Sequence, residues 1–200
     1  MGFGRLRVWN DDIVAPGAGF DPHPHREMEI ATYIRQGAIT HLDDQGNEGV
    51  TDAGDVQVMH AGTGIVHSEY NRGAEPTRLF QIWIMPDVPG AEPGWGTRAF
   101  PRDPGALRVL ASGRAADAGS GALPLHANAA LLAGTLDAGQ SATIRLEPGR
   151  GAYLMPSAGS IAVGGIVAAT GDGIAVSDED SFEIVARERA EIALVDVAMR

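Results

Sequence analysis

Short apolar runs interrupted by glycine and proline set the pattern of the chain, and they read as strands and turns rather than helices. Glu29–Arg35 reads as a strand, Gln36-Gly37 as a turn and Ala38–Leu42 as the next strand. Asp43-Asp-Gln-Gly-Asn47 reads as a hairpin loop, because Gly and Asn accept positive φ at little cost. Further strands are expected over Glu48–Thr51, Asp55–Met59, Ile65–Tyr70 and Arg78–Met85. From Pro86 to about Asn128 the chain is rich in Pro, Gly and Ala, and reads as a connecting segment with surface loops. Strand patterns return over Ala130–Leu136, Ala142–Leu146, Gly151–Leu154, Ser160–Val163, Gly173–Val176, Phe182–Val185 and Glu191–Val197. Strands at this spacing predict an all-β sandwich or barrel.

The two stretches of strand echo one another. Gly37-Ala-Ile-Thr-His41 followed by Ala53-Gly-Asp55 resembles Gly159-Ser-Ile-Ala-Val163 followed by Thr170-Gly-Asp172. Each is a strand, a hairpin and a Gly-Asp turn into another strand, which suggests a degenerate duplication of a small β-barrel. The expected division is 1–95, a linker with loops over 96–128, and 129–200.

Composition narrows the chemistry. The 200-residue chain has no cysteine, so disulfides, thiolate zinc sites and iron–sulfur clusters are excluded, and any metal must be held by nitrogen and oxygen. A net charge of -11 argues against direct contact with a nucleic-acid backbone and otherwise reads as a device for solubility. No apolar run reaches the ~20 residues of a membrane span, and a soluble, cytoplasmic protein is expected.

The six histidines carry the most specific pattern. His23 and His25, flanked by Pro22 and Pro24, project from one face of an extended segment and can converge on one ion. The prolines place that segment at a strand end rather than mid-sheet. His67 and Glu69 repeat the same i, i+2 relationship on a second strand. Together they make a site of three imidazoles and one carboxylate, suited to iron, copper, manganese, nickel or zinc. Glu27 and Glu29 share the parity of the first histidine pair, and each reads as a ligand, a partner to a histidine or a surface charge. His41 and His60 could line the site, whereas His126 reads as structural.

These stretches carry a family resemblance. Leu6-Arg-Val-Trp-Asn-Asp-Asp12, the His-Pro-His-Arg-Glu-Met-Glu-Ile run, His41-x-Asp-x-x-Gly-Asn47, Ala61-Gly-Thr-Gly64, His67-Ser-Glu-Tyr-Asn71 and Gln81-Ile-Trp-Ile-Met-Pro86 together resemble the pirin family, most of all its bacterial quercetinase-like members. The resemblance implies a cupin-superfamily bicupin of two antiparallel β-barrels, with one mononuclear divalent metal in the N-terminal barrel and a degenerate C-terminal barrel. Fe(II) is the first expectation; Cu, Mn, Ni, Co and Zn are alternatives. The family's ligands fall on His23, His25, His67 and Glu69. The general cupin pattern would instead use Glu29; the pirin pattern favours Glu69 and leaves Glu29 behind the ligands as a histidine's partner. Pirins carry an aromatic-rich N-terminal segment ahead of the Met1-Gly-Phe-Gly4 that opens this chain, so a shortened or truncated start is expected.

The function implied is quercetin 2,3-dioxygenase activity, the oxygen-dependent cleavage of a flavonol heterocycle with loss of carbon monoxide. Glu69 would accept the proton of the 3-hydroxyl, and Phe20, Ile34, Val58, Phe80 and Trp83 would wall a flat aromatic substrate. The alternative reading is a metal-loaded, redox-sensing co-regulator that docks on a protein partner. A monomer is expected.

Overall fold

The structure is a computed structural model that describes residues 2–101 and 103–200; Met1 and Arg102 of the regions above fall outside it. The first half of the chain forms β1 (Leu6–Val14), β2 (Gly19–His25), β3 (Glu29–Gln36), β4 (Ala38–Asp43), β5 (Glu48–Asp52), β6 (Val56–His60), β7 (Ile65–Tyr70), β8 (Thr77–Ile84) and β9 (Gly94–Arg98). These build two sheets, in the orders β1-β8-β3-β6-β9 and β2-β7-β4-β5. The second half forms β10 (Ala106–Ser112), β11 (Leu123–Pro124), β12 (Ala129–Leu136), β13 (Ser141–Arg145), β14 (Arg150–Ala158), β15 (Ser160–Val163), β16 (Ile166–Ala169), β17 (Ile174–Ser177), β18 (Ser181–Ala186) and β19 (Ala190–Ala198). Its sheets run β11-β10-β12-β19-β14-β17 and β13-β18-β15-β16.

The echo seen in the sequence is a repeat of topology. The order β1-β8-β3-β6 recurs as β12-β19-β14-β17, and β2-β7-β4-β5 recurs as β13-β18-β15-β16. Both motif echoes occupy equivalent places, in the β4–β5 and β15–β16 hairpins and in the Gly-Asp turns that follow them. The turn at Gly37 adopts φ +75°, the left-handed region where glycine alone is unstrained.

The connecting stretch is more ordered than its composition suggests. Instead of loops only, Pro86–Asn128 contains β9, β10 and β11. β9 closes the edge of the first sheet against β6, and β10 pairs with β12 across most of its length. The Gly- and Pro-rich segments between these strands hide them, and β9 carries almost no apolar alternation of its own. Leu6–Val14, which has too many polar residues to read as a strand, also joins the sheet through β8.

The halves meet through their larger sheets. Ala31, Tyr33, Val56, Val58, Phe80 and Ile82 pack with Leu131, Leu110, Ala193 and Val195 in one continuous core. Because sheet β1-β8-β3-β6-β9 is covered on both faces, β3 and β8 read as near-continuous apolar runs. The second half fills its own interior with Ile144, Leu154, Ile161, Ile184 and Leu194. Its β13 and β18 occupy the places of β2 and β7, so aliphatic side chains stand where the first half carries imidazoles.

Candidate metal centre

The smaller sheet of the first half presents a face of imidazoles. His23 on β2 is the register partner of His67 on β7, with a bulge between Phe20 and His23 that shifts the pairing. His41 and Asp43 on β4 lie opposite Glu69 and His67. Gly19 permits this close approach: a Cβ there would sit 2.2 Å from the Glu69 carbonyl oxygen. Ring centroids stand 4.5 Å apart for His23–His67, 4.8 Å for His23–His25 and 5.1 Å for His25–His67. One ring nitrogen from each of the three lies within 4.8 Å of the others.

Hydrogen bonds prepare these rings as ligands. His23 Nδ1–H donates to the Asp21 carbonyl oxygen at 2.7 Å, which leaves Nε2 as a bare lone pair. His67 is held from behind by a chain of side chains. Asn47 donates to Asp43, Asp43 accepts from His41 Nε2 at 3.0 Å, and His41 Nδ1 lies 3.4 Å from His67 Nδ1. Burial lowers the pKa of His41 despite the opposing Asp43 carboxylate, so the ring is neutral and its single N–H points at Asp43. Burial also pushes His67 down to about 3, helped by the neighbouring His23, His41 and His25. A neutral His67 donates from Nδ1 to His41 and keeps a lone pair on Nε2. That Nε2 is buried and has no hydrogen-bond partner among the described residues. A buried acceptor left open beside two further imidazoles fits a metal ligand. Burial lowers His25 as well, with the charge of His23 second, and its ring meets the edge of Trp83 at 4.9 Å.

Glu69 belongs to a second group, in which one of its oxygens lies within 4.8 Å of ring nitrogens of His41 and His67. Both carboxylate oxygens are engaged from the opposite sheet: Gln57 Nε2 donates to Oε1, and Gln81 Nε2 donates to Oε2 at 2.8 Å. The amides are themselves oriented, Gln57 by the Thr51 hydroxyl at 3.0 Å and Gln81 by Trp83 Nε1 at 3.0 Å. Burial pushes the Glu69 carboxyl up to about 7, against these hydrogen bonds that pull it down. Trp95 stacks on His41 at 4.8 Å and 6° and closes the back of the chain. The sequence offers no site role for Gln57 or Trp95; Asp43 and Gln81 stand in the stretches that carry the family resemblance, and the i, i+2 spacing of Gln81 and Trp83 on a buried strand is a signal for Gln81 alone.

Several expected participants lie elsewhere. Glu29 faces the seam between the halves, where its Oε2 accepts from His60 Nδ1 at 2.6 Å and from the His126 backbone N–H at 2.8 Å; it supports none of the three clustered histidines. His60 lies with it and does not line the centre. Glu27, at φ +50°, accepts the Gly90 N–H at 3.0 Å. Val58 and Phe80 pack in the seam core, and Ile34 in a separate cluster with Leu79, so none of them walls the centre. Their sheet is buried on both faces, and burial alone does not reveal which face a residue takes. Trp83 does stand at the centre, and Phe20, 37% exposed, lies 6.5 Å from His23.

An antiparallel double sheet with inward imidazoles from adjacent strands and a buried carboxyl is a cupin metal centre, suited by its nitrogen and oxygen donors to a divalent transition metal. The chain belongs to the pirin family. Residues 1–84 match the Pirin family, and residues 109–197 match the quercetinase C-terminal cupin domain. It is 59% identical over 199 residues to a putative quercetin 2,3-dioxygenase of Pseudomonas aeruginosa, covering 98% of this chain and 84% of the relative. It is 38% identical to the quercetin 2,3-dioxygenase of Escherichia coli K12, over 98% of this chain and 84% of the relative. The crystal structure of the Escherichia coli pirin YhhW in complex with nickel(II) superposes with a TM-score of 0.91 at 37% identity, covering 99% of this chain and 84% of that one. No helix among the described residues is long and apolar enough to cross a membrane.

Proposed function

We propose that the chain is a metal-dependent dioxygenase that opens the heterocycle of a flavonol such as quercetin, consuming dioxygen and releasing carbon monoxide. The observation that carries this reading is the buried Nε2 of His67, without a hydrogen-bond partner among the described residues, beside the buried Glu69 carboxyl. His23, His25 and His67 would hold the ion, Fe(II) in the first instance, and Glu69 would be the fourth ligand or the proton acceptor beside it. The bound metal supplies Lewis acidity toward the 3-hydroxyl oxygen of the substrate.

The protein's own part is positioning and proton handling. In the metal-free protein burial raises the Glu69 carboxyl, which makes it a better acceptor for the hydroxyl proton than an ordinary carboxylate if it stays off the ion. Gln57 and Gln81 fix the plane of that carboxylate before substrate arrives, so little reorganisation accompanies the transfer. Phe20 and Trp83 offer aromatic surface on which a flat ring system can lie. The names of the relatives in Pseudomonas aeruginosa and Escherichia coli support the substrate class.

The test is aerobic consumption of quercetin by Fe(II)-loaded protein, with carbon monoxide trapped and counted against flavonol lost. Equal amounts of the two, both abolished in His67→Ala and without oxygen, are expected. Tight metal binding with no flavonol turnover overturns the reading.

A further inference from the structure

Of the six histidines, His23, His25, His41 and His67 meet at the cupin centre, and the remaining two, His60 and His126, meet each other. Their rings stack at 4.2 Å and 18°, on the opposite face of the larger sheet from that centre. His60 ends β6 and is the register partner of Glu29 on β3; His126 arrives on the segment that follows β11. The placement is fixed by backbone: the His126 N–H donates to Glu29 Oε2 at 2.8 Å, and its carbonyl accepts the Asp87 N–H at 3.0 Å. Asp87 then accepts the Asn128 N–H at 2.6 Å, so the segment is clamped on both sides of the histidine.

We infer that His60 and His126, with the Glu29 carboxylate behind His60, form a second site for a divalent transition metal, at the seam between the two halves and separate from the cupin centre. One ligand atom from each of the three lies within 4.8 Å of the others. The Glu29 carboxylate, 2% exposed, takes the Nδ1–H of His60 at 2.6 Å and thereby leaves His60 Nε2 as a lone pair. A carboxylate that fixes the tautomer of a histidine from behind is the arrangement that prepares metal ligands. His126 is exposed and makes no ring hydrogen bond among the described residues, so a rotation of its ring brings one nitrogen to the ion. Ligands about 2.0–2.2 Å from one ion stand roughly 3–4 Å apart, and stacked rings aim their lone pairs side by side, so the His126 ring must turn out of the stack to bind. Two imidazoles backed by one carboxylate leave positions open to water, as in a site that exchanges with solvent. Because its ligands come from both sides of the seam, an ion here ties the connecting segment to the first half. The inference does not depend on what the cupin centre catalyses.

The experiment titrates Zn2+ alone into the metal-stripped full chain and reads stoichiometry by calorimetry and native mass. Two ions per chain are expected. His126→Ala, a change at an exposed side chain, removes the second ion or weakens it by about 10–100-fold, and His60→Gln does the same. His67→Ala removes the other ion and keeps the seam ion. Binding of a single ion by the wild-type chain, or two ions bound unchanged by His126→Ala, overturns the proposal.

Discussion

His67 Nδ1 lies 3.4 Å from His41 Nδ1, and this contact decides which nitrogen of His67 faces the metal position. Since Asp43 takes the proton-bearing Nε2 of His41, the bare Nδ1 of His41 is the acceptor that meets His67 Nδ1–H. Asp43→Asn is isosteric and reverses this logic, because an amide nitrogen can donate to His41 Nε2 and leave the ring proton on His41 Nδ1, facing His67. The expected result is a loss of metal affinity of about 10–100-fold with the fold intact. Competition against a chelator measures the affinity, and nitrogen chemical shifts of the imidazoles in metal-free protein report the tautomer. Unchanged affinity in Asp43→Asn would remove the chain of side chains from the account.

Glu69 makes metal-free stability depend on pH in an unusual direction. Its folded carboxyl titrates at about 7, above the ordinary value of 4.5, so between these pH values the folded state binds more protons than the unfolded state. Stability of the metal-stripped protein therefore falls as pH rises from about 4.5 to about 7, through this residue alone. Glu69→Gln keeps the shape, removes the titration and should flatten that slope in urea melts recorded across the same range. In the dioxygenase reading the same variant also loses flavonol turnover.

The interior of the second half should behave as core and nothing more. Ile161 and Ile184 are both fully buried, on strands equivalent to those that carry His41 and His67. Ile184→Ala is expected to cost about 2–5 kcal/mol in chemical denaturation. Metal content at the cupin centre should not change, because no ligand there belongs to this half. Loss of that ion together with stability would show that the halves are coupled through more than the seam core.

How much of this was legible in the residues follows from the physics of strands. The pairs His23/His25 and His67/Glu69 stand out because i, i+2 spacing guarantees a shared face whatever the rest of the fold does. The three imidazoles do cluster, while Glu69 sits in a neighbouring group wrapped by two glutamines. Glu29, Val58 and Phe80 were harder to place, since their sheet is buried on both sides and alternation of burial vanishes with it. The repeat was visible in two short hairpins, but its full extent over eight strands appears only in the sheet orders. β9 escaped notice because an edge strand of Gly, Trp, Thr and Arg needs only backbone pairing with β6 to form.

Phe20 and Trp83 separate substrate contact from support of the centre. Phe20 is 37% exposed beside His23, so Phe20→Ala removes aromatic surface without opening a core cavity. The expected outcome is a flavonol KM raised several-fold, with kcat and metal content close to wild type, because the lost contact serves ground state and transition state alike. Trp83 has two tasks: its ring edge meets His25 at 4.9 Å, and its Nε1 holds Gln81, which in turn donates to Glu69. Trp83→Phe keeps most of the ring and removes the N–H, freeing Gln81 to flip its amide and present an oxygen to the carboxylate. That change should lower kcat more than it raises KM, by about tenfold for the loss of one oriented hydrogen bond worth roughly 1–1.5 kcal/mol. Steady-state kinetics on the two variants side by side makes the comparison. Equal effects on KM in both would reduce Trp83 to a wall and remove the Trp83–Gln81–Glu69 chain from the mechanism.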